Sequence, residues 1–151
     1  MSTITEGIYT IFTAMPGKPE MCLDVFNASE DPVTPLILYH VNGQKNQQFR
    51  FSLVDEPAGY YKIEAMHTGQ VLDVECCRGK DLDPVIQYEY HDGDNQLWKV
   101  TQLANGNYTI ASKKGGFVIA VDHALREDKA RIVVSQWHER MDQQFKLVPV
   151  K

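Results

Sequence analysis

The tetrapeptide Asn46-Gln47-Gln48-Phe49 recurs as Asn95-Gln96-Leu97-Trp98 and again as Asp142-Gln143-Gln144-Phe145, placing the shared Gln 49 and then 47 residues further on. A second landmark, Cys22-Leu23-Asp24-Val25, returns at the same two intervals as Val71-Leu72-Asp73-Val74 and Val118-Ile119-Ala120-Val121. A third, Tyr9-Thr10-Ile11, returns as Tyr61-Lys62-Ile63 and Tyr108-Thr109-Ile110, at 52 and 47. Three landmarks in one order at nearly one period define an internal repeat of roughly fifty residues. Inside each copy, short runs alternate apolar and polar residues, as in Tyr61, Ile63 and Ala65, the period of a half-buried strand. Asp31-Pro32, Asn42-Gly43, Pro57-Ala58-Gly59, Asp92-Gly93, Asn105-Gly106 and Gly115-Gly116 punctuate these runs as turns. The one stretch with helical promise, residues 123–131, is rich in Arg, Glu, Asp and Lys and is read as a solvated loop. A propeller needs about four to eight blades to close. Three copies suit a threefold all-β barrel, which leaves no exposed sheet edge and buries an apolar face that no single copy could bury alone.

The 151 residues make one domain, with repeats at about 6–54, 55–103 and 104–151. A net charge of −5 and the lack of any basic run oppose a nucleic-acid or anionic-membrane partner. The longest apolar stretches, such as residues 117–121, fall far short of the roughly 20 residues of a helical membrane span. Cys22, Cys76 and Cys77 are too few and odd in number for a disulfide framework. With no basic region or apolar signal core at the N-terminus, the expected location is the cytoplasm. The five His show no metal-ligand spacing, so neither a metal nor another cofactor is expected.

Three Gln-x-aromatic motifs in register with three Leu-Asp-Val-like segments resemble the ricin-B-type β-trefoil lectins over essentially the whole chain, and in particular the cytosolic lectins of fungi. The resemblance implies an all-β β-trefoil, a six-stranded barrel capped by three hairpins, with one potential sugar site per repeat. It also implies roles. The Asp of Leu-Asp-Val accepts hydrogen bonds from sugar hydroxyls, an aromatic about fifteen residues later stacks on the pyranose, and an Asn beside the Gln-x-aromatic motif adds polar contacts.

Those residue types fit the ligand chemically. A neutral sugar offers hydroxyls, which a carboxylate accepts in charge-assisted bonds, and a C–H face that a flat aromatic covers. Asp73, Tyr88 and Asn95 fill the roles in the second copy, with His91 on the hairpin between them. Asp24, Tyr39 and Asn46 repeat the spacing of 15 and 22 residues in the first, with Asn42 in the place of His91. Gln47 and Gln96 are expected in the core, orienting the neighbouring Asp or Asn from behind. The third copy has Ala120 in place of the Asp, and residues 134–142 look two residues shorter. Trp137 is its candidate aromatic, with Asp142 or Asp122 as substitute acceptor. Each Asp could instead cap a turn and each Tyr could be an ordinary strand residue. The equal spacing of the two sets favours sugar contact.

The expected function is therefore a lectin for galactose- or GalNAc-bearing glycans, without catalysis, working through the first two repeats. Avidity would come from those two sites or from a homodimer, and the family suggests a role in defence. The alternative is a trefoil protease inhibitor presenting residues 27–35 or 124–131. A glycosidase needs two carboxyls about 5 Å apart, and each repeat supplies one well-placed Asp.

Overall fold

The computed structural model describes residues 4–55, 57–75 and 81–151. Cys76 and Cys77 lie outside the described residues. Twelve strands follow in order: β1 (Gly7–Thr13), β2 (Met21–Val25), β3 (Leu36–His40), β4 (Phe49–Asp55), β5 (Tyr60–Ala65), β6 (Val71–Val74), β7 (Val85–Tyr88), β8 (Trp98–Gln102), β9 (Tyr108–Ser112), β10 (Val118–Val121), β11 (Ile132–Ser135) and β12 (Phe145–Pro149). No helix among the described residues is long and apolar enough to cross a membrane. Residues 122–124, where the 123–131 stretch begins, form a single 3-10 turn.

Six strands close a ring, all antiparallel: β1 pairs β4, β4 pairs β5, β5 pairs β8, β8 pairs β9, β9 pairs β12, and β12 returns to β1. The remaining six form three hairpins, β2–β3, β6–β7 and β10–β11. The hairpins meet one another through bridges Pro35–Ile86, Pro84–Val133 and Ile37–Arg131, closing the cap with the same threefold order. This is the β-trefoil.

The register explains the landmarks. Tyr9 pairs with Phe49, Tyr61 with Trp98 and Tyr108 with Phe145, so the first and last landmark of each copy are cross-strand partners at the barrel wall. Phe49, Trp98 and Phe145 are fully buried, packed with Ile11, Ile63 and Ile110 and with Leu23, Leu72 and Ile119. Burying each such aromatic contributes about 1.5–3 kcal/mol. Trp98 satisfies its indole N–H on the Leu72 carbonyl at 3.1 Å.

The repeats are also clasped together. The residues leading into β3, β7 and β11 each reach over to another repeat's hairpin. Val33 N–H donates to Gln87 O, Leu82 N–H to Val134 O and Lys129 N–H to Leu38 O, at 2.7–2.9 Å. Gln87, Val134 and Leu38 N–H donate in return to Thr34, Asp83 and Ala130. Val33, Leu82 and Lys129 all sit in the left-handed region, with φ of 68°, 69° and 73°. Such a conformation is costly for a branched side chain and persists where surrounding contacts fix it.

Candidate functional site

Asp24 and Asp73 lie in β2 and β6, opposite Ile37 and Ile86. Their residues are 3% and 4% exposed, and two amides hold each carboxylate. In the first repeat Asn46 Nδ2 donates to Asp24 Oδ1 at 3.2 Å and Gln47 Nε2 to Oδ2 at 2.9 Å. In the second, Asn95 donates to Asp73 Oδ1 at 3.0 Å and Gln96 to Oδ2 at 2.8 Å. The Asn and Gln come from the 3-10 turns that precede β4 and β8.

Each Gln also ties the hairpin shut. Gln47 Nε2 donates to His40 O, and its Oε1 accepts from Asn42 N–H. Gln96 does the same with Glu89 O and His91 N–H. A carboxylate offers about four lone-pair positions. Two are taken, leaving acceptor capacity toward the cleft. Burial pushes the Asp24 carboxyl above its ordinary 3.8, and the hydrogen bonds from Gln47 and Asn46 pull it back only in part. Asp73 is raised likewise by burial, against the opposing pull of Gln96, His91 and Asn95.

The aromatics stand where a platform requires them. Tyr39 and Tyr88 sit two residues after the partners of the Asp residues, on the same hairpin face. Tyr39 stacks on His40 with centroids 4.4 Å apart, and His40 is held by Asp128 at 2.9 Å. Tyr88, 38% exposed, meets His91 edge-on at 6.3 Å, and His91 Nε2 lies 4.0 Å from Asp73 Oδ2. Gly93 lies directly under His91 and Asn95, where a Cβ would meet both at 2.6–2.7 Å. Asn42 folds back locally, its Oδ1 accepting from Gln44 N–H. The first cleft encloses about 220 Å³ and gathers Asp24, Tyr39, Asn42 and Asn46. The second encloses about 200 Å³ and gathers Asp73, Tyr88, His91 and Asn95.

Comparison with known proteins gives the family. A model of the ricin-type β-trefoil lectin domain-like family matches residues 45–137 and 94–151. The chain belongs to this family. The designed threefold-symmetric protein ThreeFoil is 36% identical, with 95% of this chain and 99% of that one covered at a TM-score of 0.89. An exo-β-1,3-galactanase from Clostridium thermocellum is 32% identical at a TM-score of 0.88, but the chain spans only 30% of it. A Polyporus squamosus lectin, bound to Neu5Acα2-6Galβ1-4GlcNAc, shares the fold at 22% identity and a TM-score of 0.81, with the chain spanning 50% of its length. No curated protein sequence matches the chain.

The third repeat of this lectin-like domain corrects two expectations. Residues 134–142 are not shortened. Ala120 pairs with Val133 and Val118 with Ser135, so Ser135, not Trp137, occupies the position of Tyr39 and Tyr88, and the spacing to Gln143 equals that in the other copies. The apparent gap comes from matching Trp137 to the tyrosines by residue type. Trp137 lies past the end of β11, in step with Val41 and Tyr90. The two-residue difference between copies falls instead at the turn joining successive repeats: ten residues separate Leu53 from Ile63, eight separate Gln102 from Ile110. Asp142, at the place of Asn46 and Asn95, is 2% exposed and accepts from Arg140 Nε at 2.9 Å. Gln143, lacking an Asp, gives its amide hydrogens to Ser135 Oγ and Gln136 O. Asp122 lies in the turn after β10, 3.8 Å from His123.

Sequence reasoning missed the neighbour's contribution to each cleft. Lys129 of the third repeat lines the first cleft, and Val33 of the first repeat lines the second. Phe26 and Glu75, one position after β2 and β6, line them from the other side. Val33, Leu82 and Lys129 do recur at the 49 and 47 intervals, but as three unlike residues they carry no motif.

Proposed function

We propose that the protein is a non-catalytic lectin binding galactose- or GalNAc-type glycans through the clefts of its first two repeats. The observation that carries this function is the duplicated set of a buried, amide-held Asp, a Tyr at an exposed edge and an Asn, each facing one cleft. The Asp supplies acceptors for adjacent hydroxyls, the Tyr covers the C–H face that an axial hydroxyl leaves continuous, and the Asn orients the carboxylate. Asn42 and His91 border the same openings and are placed to contact the sugar rim. Trp137 stands two residues past the ladder position of the two tyrosines, which Ser135 holds. Asp142 is already neutralised by Arg140, and Ser135 offers no platform. Two weak sites on one rigid domain would reach clustered glycans by avidity, with or without a homodimer.

Segments 27–35 and 124–131, the candidate inhibitory loops, are committed to clasping neighbouring repeats, which disfavours the protease-inhibitor alternative. Action from the cytoplasm, as a fungal defence protein, belongs to the same proposal. A glycan array with the wild-type protein, Asp24→Ala, Asp73→Ala and the double variant is the test. Loss of galactoside binding only in the double variant supports two independent sites, and unchanged binding in the double variant overturns them.

A further inference from the structure

The two clefts share their floor and differ in their walls. In the first, the position after the Asp strand is Phe26 and the clasping residue is Lys129. In the second, those places hold Glu75 and Val33. The first cleft therefore carries Asp24 and the Lys129 ammonium, with the His40–Asp128 pair close enough to act on Asp24. The second carries Asp73 and Glu75, with His91 beside Asp73 and an apolar wall in place of the lysine. Lys129 is exposed, and apart from a Coulombic pull on its neighbour Asp128 it enters none of the ion pairs among the described residues. Its neighbour Asp128 is engaged with both the backbone N–H and the ring of His40. The left-handed backbone of Lys129, fixed by the Lys129–Leu38 hydrogen bond, places the side chain on the rim of a cleft belonging to another repeat.

Resting on the carbohydrate-binding function above, we propose that the first cleft takes glycans bearing an anionic group, a carboxylate or a sulfate ester, next to the sugar on Tyr39, with Lys129 as the specificity-determining residue. The second cleft takes the uncharged form of the same glycan, because Glu75 beside Asp73 repels an anion and Val33 offers it no partner. An ammonium on an exposed rim is worth a modest gain, and salt weakens it.

The test uses three probes on one galactoside core: the neutral sugar, a sialylated form and an O-sulfated form. Titration calorimetry at low salt is run on Asp73→Ala, which leaves the first cleft, and on Asp24→Ala, which leaves the second. Tyr88→Ala and Tyr39→Ala, at more exposed positions, stand in if either Asp variant fails to fold. Asp73→Ala should bind an anionic probe roughly fivefold tighter than the neutral one. Lys129→Val should erase that preference, as should raising the salt to about 0.5 M. Val33→Lys in the Asp24→Ala background should install a preference in the second cleft. Response to the sialylated probe alone assigns a carboxylate, and to the sulfated probe alone a sulfate ester. Equal binding of all three probes by the first cleft overturns the charge assignment and leaves the lectin function standing. Failure of every probe on the wild-type protein overturns both.

Discussion

The second and third repeats share one hairpin register and pose the same Gln at the same place, yet one surrounds it with an Asp, a Tyr and an Asn and the other does not. Around Gln96 stand Asp73, Tyr88, Gly93 and Asn95. Around Gln143, in step, stand Ala120, Ser135, Arg140 and Asp142. Gln143 still closes its hairpin onto His138 N–H and Gln136 O, with Ser135 replacing the missing carboxylate as acceptor. The difference separates two jobs that coincide in the second repeat. The Gln and the aromatic after it hold the fold. The Asp, Tyr and Asn are not required for the barrel, since the third repeat lacks them and keeps its place.

That separation is most severely tested in the core. Trp98→Ala and Phe145→Ala should each destabilise the protein by about 3–5 kcal/mol, seen as matched shifts in urea midpoint. A far smaller cost for Phe145 would show that the copies are unequal as scaffold too. Next comes Ala120→Asp, which buries a second carboxylate near Asp142 and should cost about 3 kcal/mol. Adding Asp142→Asn should recover most of this, because Asn can donate to the new Asp as Asn95 does to Asp73. With Ser135→Tyr as well, calorimetry should count one more bound galactoside per chain. An unchanged stoichiometry in a folded triple variant would mean that the set is insufficient for a site.

Asp73→Ala leaves Asn95 and Gln96 each short of one acceptor and should cost about 1–3 kcal/mol by thermal melting. No equivalent loss is available in the third repeat.

The smallest effect is the pH dependence. Burial raises Asp24 and Asp73, so each carboxyl favours the native state while protonated. That contribution is complete below the ordinary 3.8 and is lost as pH rises through the raised native value. Glycan affinity runs the other way, falling on acidification from above the ordinary Asp range as the acceptors fill with protons. Titrations across pH 3–7 should show this fall, which the Asp24→Asn, Asp73→Asn protein should lack along with binding. A midpoint at or below the ordinary value would remove burial as the controlling influence.

Much of this was legible in the chain because ladder geometry imposes fixed intervals. The 15 residues from Asp24 to Tyr39 and from Asp73 to Tyr88 are one hairpin's register, and the pairing of Tyr61 with Trp98 makes each repeat begin and end on large side chains at set positions. Trp137 misled because a residue type was followed where a ladder position was needed; Ser135 holds that position in a form with no aromatic signal. The clasps were hidden for a different reason. His40 meets Asp128 across 88 residues of chain, and such a contact leaves no local pattern when its counterparts in the other copies are a Glu facing a Pro and a Gln facing an Asp.

The left-handed residues Val33 and Lys129 carry a further consequence for how such a protein changes over generations. A gene built by copying one segment three times would be expected to evolve its copies independently, each refining its own pocket. Here the wall of each pocket is encoded in a different copy from its floor. With Lys129 in the role proposed for it, a substitution at codon 129 would edit the ligand preference of the first repeat while leaving every codon of that repeat untouched, and a copy transplanted alone would arrive without a residue of its own cleft wall.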